Sequence, residues 1–201
     1  MENSKRGNIP MQERFDLNKT QVALRPKKVK RRQNVPYAAV VGSIMYAVRC
    51  TRPDVAVAQN ITSHFQHNSG EPHWTPMKTI LKYLRNTKYM FLVYSGNPEA
   101  KLRVDCYCDA GFKTDRDAIK SQTGYVFILY RGAVDSKSSK QSTIAMSATE
   151  AEYIAASEAA MEAVWITKFI LVLGIVPTIN EPIKTLCDYL VTHLIANEPW
   201  V

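Results

Sequence analysis

The sequence predicts an α/β protein: a mixed sheet of three antiparallel strands and one parallel strand reached through a helical crossover, preceded by a small helical unit. Three observations carry this. Apolar residues recur every three or four positions from Val55 to Phe65 and from Trp74 to Leu84, then at every second position from Leu102 to Cys108. Thr123–Tyr130 is β-branched and aromatic, as strands favour. A long helical stretch, 147–173, then precedes a short apolar run, Ile183–Cys187, and a helix between two strands of one sheet favours a parallel pair.

Residues 1–34 are polar and basic without an apolar period, and read as a flexible lead-in. Residues 35–92 form the helical unit, and 93–201 the sheet domain. Tyr37–Val48 suits a buried helix. At Thr51-Arg52-Pro53-Asp54 a second helix starts, with Thr51 or Asp54 as cap and Pro53 in the first turn; Asn68-Ser69-Gly70 ends it. Trp74, Met77, Ile80, Leu81 and Leu84 mark a third helix ending near Asn86-Thr87. Tyr89–Tyr94 reads as a strand and Gly96-Asn97-Pro98 as a turn. After the strands at 102–108 and 123–130, Arg131-Gly132 offers a turn, and Ala133–Lys140 pairs back as a third strand. Ser147-Ala148-Thr149-Glu150 has capping-box form, and Gly174 supplies the helix stop. His193–Asn197 begins another helix.

Composition excludes several classes. With 46% apolar and 22% charged residues in 201, the chain can build a core, which excludes wholesale disorder. Tyr37–Val48, the longest nearly uncharged apolar stretch, is too short to span a bilayer, and the N-terminus shows no secretory signal. The four cysteines form neither a disulfide framework nor a CxxC pair, so the reading is an intracellular protein, cytoplasmic or nuclear, with reduced thiols. The net charge of +8 is uneven: residues 1–100 hold 16 Lys and Arg against 6 Asp and Glu, and residues 101–201 hold 10 against 12. A basic front half fits a nucleic-acid partner. The cluster Arg25, Lys27, Lys28, Lys30, Arg31 and Arg32 suits phosphate contact, nuclear localisation or a solvated linker.

Three carboxylates stand out. At about 100° per residue, Glu152 lies on the small apolar face of the long helix, with Ala155, Ala156, Ala159, Ala163, Ile166 and Ile170, while Glu150, Ser157, Glu158 and Lys168 define the solvent arc. A carboxylate on that face is costly without compensation, although a position near the helix start also offers solvent or the helix dipole. Asp109 and Asp188 each follow a cysteine at the end of a strand, where a turn or cap role is the common alternative. If the two strands are parallel neighbours, both aspartates emerge at one end of the sheet, within reach of Glu152. Three clustered carboxylates repel unless a cation neutralises them, and oxygen-only donors favour Mg²⁺ or Mn²⁺.

At these residues a resemblance appears. YCDAGFKTD (107–115), KSQTGYVF (120–127), SKSSKQST (136–143), SATEAEYIAASEAAMEAVW (147–165) and CD (187–188) resemble the ribonuclease H domain of copia-type retrotransposon Pol polyproteins, particularly those of plants. PYAAVVGSIMYAVRCTRPDVA (36–56) and HWTPMKTILKYLRNT (73–87) resemble the segment joining the reverse transcriptase to that domain. The resemblance implies a ribonuclease H-like fold that cleaves the RNA strand of an RNA–DNA hybrid with Mg²⁺ or Mn²⁺, alongside the reverse transcriptase part of a polyprotein. It assigns catalytic and metal-binding roles to Asp109, Glu152 and Asp188, and leaves Glu150 on the solvent side. Lys137 and Lys140 are candidate phosphate contacts. The family's pattern differs at Tyr189, where asparagine follows the aspartate, and at Ser136, where tryptophan is usual. It also continues beyond Val201, so the resemblance implies a C-terminally incomplete domain. The alternative is a catalytically inactive remnant that at most binds nucleic acid weakly. Among other residues, Cys106 and Cys108 read as core, His64, His67 and His73 as helix surface, Trp74 and Trp165 as packing anchors, and His193 as a neighbour of the last strand.

Overall fold

A computed structural model describes residues 7–12, 16–21, 35–94, 103–174 and 182–188. The basic run at 25–32, the turn at 96–98 and the helix expected at 193–197 lie outside the described residues. The chain falls into two units, Met1–Phe91 and Leu92–Val201.

The first unit holds helices α1 (Tyr37–Cys50), α2 (Ala56–Ser63) and α3 (Glu71–Asn86), with a single 3₁₀ turn at Pro53–Val55 ahead of α2. Its core joins Tyr37, Val41, Ile44, Val55, Ala58, Met77 and Ile80. α1 has apolar residues all round; among the described residues it is buried along the stripe Tyr37, Val41 and Ile44 and exposes Tyr46. Neither Thr51 nor Asp54 caps the second helix. Asp54 instead pairs with Arg52 at 2.7 Å and accepts from Tyr83 Oη at 2.7 Å. His73 is fully buried rather than on the surface. Its Nδ1 accepts from the Gly70 N–H at 2.7 Å, standing in for the acidic partner of a capping box; its Nε2 donates to Asn18 O at 3.0 Å, and its ring stacks on Phe65. The lead-in is thus partly packed, with Leu17 also buried.

The second unit is the expected mixed sheet. β1 (Val104–Asp115), β2 (Lys120–Leu129) and β3 (Gly132–Lys140) are antiparallel, and β4 (Lys184–Cys187) lies parallel to β1, in the order β3-β2-β1-β4. The crossover is α4 (Ala148–Leu173), which starts at Ser147, whose Oγ accepts from the Glu150 N–H at 3.1 Å, and stops at Gly174 in the left-handed conformation, φ 65°. The Glu150 carboxylate reaches back to the Met146 N–H at 2.7 Å. α4 lays Ala159, Ala163 and Ile166 over Val104, Cys106, Cys108, Tyr125 and Phe127. Small residues on the helix let it approach the sheet closely, and the alternation of β1 puts both cysteines in this core. Strand order and crossover are those of a ribonuclease H-like α/β fold.

Three further expectations change. Residues 89–94 form no strand: Tyr89, Met90, Phe91, Val93 and Tyr94 are exposed, and among the described residues no strand lies beside them for their β propensity to act on. Tyr94 instead lies over Gly132, where an added Cβ would collide with its ring, and donates to Ala133 O at 2.7 Å. β1 runs past Cys108 to Asp115, so Asp109 pairs with Gly124 inside the strand rather than ending it. Among the described residues Trp165 anchors no core; it is 58% exposed and stacks on Phe169.

Candidate functional site

The parallel register sets the site. β1 and β4 pair from Asp105↔Lys184 to Cys108↔Cys187, and pairing stops there. Asp109 and Asp188 are therefore the next residues on two adjacent strands running the same way. Asp109 stays in β1 through its pairing with β2, while Asp188 lies just beyond β4; both are exposed.

Glu152 meets this edge from one turn into α4. It is 8% exposed, on the sheet-facing side of the helix as the periodicity predicts. Its carboxylate accepts from the Ala110 N–H and lies within hydrogen-bonding reach of the Asp109 carboxyl, and its Oε2 has no hydrogen-bond donor among the described residues. Burial raises its pKa above the usual carboxylate value, the negative charges of Asp109 and Asp188 push the same way, and the Ala110 N–H opposes them. The fold thus brings Asp109, Glu152 and Asp188 within electrostatic reach of one another. Glu150 stays on the exposed side.

The donor chemistry suits a hard divalent cation: three carboxylates and one buried oxygen lacking a protein partner. Among the described residues, no three Asp, Glu, His or Cys side chains are gathered closely enough to enclose a metal ion as they stand. Thiols are poor alternatives. Burial pushes Cys108 up to about 12, with Cys187, Cys106 and Glu152 adding to the shift, and Cys106 up to about 11. Both are core side chains, as the alternation implies.

The two lysines differ. Lys140 forms a 2.7 Å ion pair with Asp115, whose side chain is 8% exposed, so its charge is engaged within the fold. Lys137 is exposed, with its ammonium 5.9 Å from the Tyr125 ring centroid. Sequence reasoning missed Gln141, buried just past β3, whose amide reaches Ala151 at the base of α4. A lone glutamine after a lysine-rich strand carries no periodic signal.

Among the described residues no helix is long and apolar enough to cross a membrane. Taken together, the sheet order, the crossover helix and the carboxylates at one strand edge define a ribonuclease H-like module. Comparison with known proteins then gives the family. The chain is 39% identical over 175 residues to a retrovirus-related Pol polyprotein of transposon TNT 1-94 from Nicotiana tabacum, which covers 87% of the chain and 13% of that protein. It is 33% identical over 163 residues to the Pol polyprotein of transposon RE2 from Arabidopsis thaliana, covering 80% of the chain and 11% of that protein. It is also 43% identical over 135 residues to secreted RxLR effector protein 161 of Plasmopara viticola, covering 67% of the chain and 94% of that protein. The chain belongs to the copia-type retrotransposon Pol family. No protein-family profile matches it, and no solved structure does.

Proposed function

We propose that this chain acts as the hybrid-cleaving module of a retrotransposon Pol sequence, hydrolysing the RNA strand of an RNA–DNA hybrid with Mg²⁺ or Mn²⁺. Glu152 carries the reading: a buried carboxylate with one unpartnered oxygen, beside two aspartates of the same charge. Such a site is unfavourable when empty and is relieved by a cation.

Asp109, Glu152 and Asp188 supply the oxygen ligands. When bound, the cation supplies Lewis-acid polarisation of the phosphate and a more acidic water. The residues position and hold. The Ala110 N–H fixes one edge of the Glu152 carboxylate, and the β1–β4 register sets Asp109 beside Asp188. In the hydrolysis, a water oxygen adds to phosphorus while the bond from phosphorus to the leaving sugar oxygen breaks; the water releases a proton and the leaving oxygen gains one. Lys137 is available to a phosphate of the hybrid, and the reverse transcriptase part of a polyprotein is the natural neighbour.

A second reading is a non-catalytic module that binds the hybrid through basic residues. Two observations favour it: the open arrangement of the three carboxylates, and the Plasmopara viticola relative, a protein made almost wholly of this segment and named an effector. It expects salt-sensitive binding without turnover. Cleavage of a labelled RNA–DNA hybrid, with and without Mg²⁺, separates the two. The nuclease reading expects metal-dependent product that is lost in a folded Asp109→Asn variant. Folded wild-type protein that binds hybrid and yields no product supports the second reading.

A further inference from the structure

Gln141 lies directly after β3 and is 1% exposed. Its backbone N–H donates to Ser121 O on β2 at 2.9 Å. Its side-chain Nε2 donates to Thr123 Oγ1 on β2 at 3.2 Å and to Ala151 O at 2.8 Å. Ala151 is the residue before Glu152 in the first turn of α4, and like Thr123 it is fully buried. The Gln141 amide therefore spans from the central strands to the turn that carries the candidate site glutamate.

The arrangement is not one that stability alone would select. Gln141 Oε1 is buried without a hydrogen-bond partner. An unpartnered buried acceptor is unfavourable, and an apolar side chain of the same size would fill the space without it. What an apolar side chain lacks is a donor for Ala151 O. That carbonyl has a second lone pair besides the one used in the helix, and Gln141 takes it.

We infer that Gln141 is a positioning residue for Glu152. By tying the first turn of α4 to β2, it sets the depth and rotation at which the Glu152 carboxylate faces Asp109. The inference rests on the reading of Glu152 as a site carboxylate. Gln141 touches no reacting group itself; it acts through the helix turn. Thr123 supports the amide, and the Gln141 backbone bond to Ser121 fixes where the amide starts.

The test uses the full chain, with Gln141→Met, which keeps the volume and removes the donor, and Thr123→Val, which removes the supporting bond alone. Backbone hydrogen exchange is read at residues 152–155 and at residues 168–171 of the same helix. Loss of the tie is expected to speed exchange in the first segment about tenfold and leave the second unchanged, with a smaller effect in Thr123→Val. On a labelled hybrid with Mg²⁺, Gln141→Met is expected to lower kcat about tenfold or more with KM unchanged. Equal acceleration in both segments makes Gln141 a general stabiliser and overturns the inference, as does no change in either. If wild-type protein cleaves hybrid and kcat in Gln141→Met is unaltered, the inference fails while the nuclease reading stands. If wild-type protein does not cleave, the nuclease reading fails together with the catalytic half of the inference, and the exchange pattern alone decides whether the tie exists.

Discussion

Replacing Glu152 by Gln is expected to stabilise the metal-free protein at pH 8, an unusual outcome for a buried position. In the wild type, Oε2 is buried without a partner, and a buried polar oxygen left unpaired costs about 1–3 kcal/mol. The substitution keeps an acceptor for the Ala110 N–H, which loses about 1 kcal/mol as its partner becomes neutral. It removes repulsion from Asp109 and Asp188, and offers an N–H where the unpartnered oxygen stood. The balance is about 1 kcal/mol in favour of the variant, or roughly 2–4 °C in Tm. The pH dependence is more specific than the size. Burial and the two aspartates raise the Glu152 pKa above its ordinary value of 4.5. The folded protein therefore retains a proton that the unfolded chain has already released. Where the folded state binds more protons, stability falls as pH rises, starting from the ordinary carboxylate value and ending above the raised one. The amide that replaces the carboxylate in the variant has no proton to lose. Calorimetric melting in EDTA from pH 4 to pH 8 should give two proteins that match near pH 4 and diverge above it, with the variant the more stable. A variant that is less stable at pH 8, or a Tm difference that does not change with pH, would refute the reasoning.

Three further outcomes follow, one from the hairpin and two from the lysines. Tyr130 and Arg131 form the two-residue turn between β2 and β3 with φ of 48° and 68°. A left-handed conformation costs a non-glycine residue about 1–2 kcal/mol, and glycine gives back about 0.5–1 kcal/mol in chain entropy. Arg131→Gly at this exposed site should thus raise the urea midpoint, by about 0.5–1 kcal/mol of stability; a lower midpoint would contradict it. Hybrid binding measured against salt should show a smaller slope for Lys137→Ala, by about 0.7–0.9. Lys140→Ala should leave that slope unchanged and instead cost about 1–3 kcal/mol of stability, because it takes the ammonium from the mostly buried Asp115.

The legible parts of the fold were those where a local pattern and a tertiary neighbour agree. The period of two through Val104, Cys106 and Cys108 marks a strand, and α4 covers that same face. Ser147 and Gly174 bracket α4 as their cap chemistry implies. Glu152 was visible because a carboxylate interrupts an alanine-rich face. What failed was whatever depended on a neighbour the sequence does not name. Residues 89–94 have strand composition and, among the described residues, no strand beside them. Trp165 and Ile166 are adjacent on one helix, yet only Ile166 faces the sheet. β1 beyond Cys108 was hidden because exposed residues and the register shift between Gly111 and Asp115 break the alternation, with Lys113 at φ 50°. His73 was assigned to the surface because its partners, Gly70 and Asn18, include one 55 residues away in the polar lead-in. Gln141 is of the same kind, since its role lies in Thr123 and Ala151 and not in its own surroundings in sequence.

The central claim is that Asp109, Glu152 and Asp188 form one cation site. Its most direct test is calorimetric titration of the full chain with Mn²⁺, alongside Asp109→Asn and Glu152→Gln. The account expects saturable binding to the wild type that each substitution weakens at least tenfold while the protein stays folded. Equal Mn²⁺ binding by all three proteins, or none by folded wild type, would contradict it.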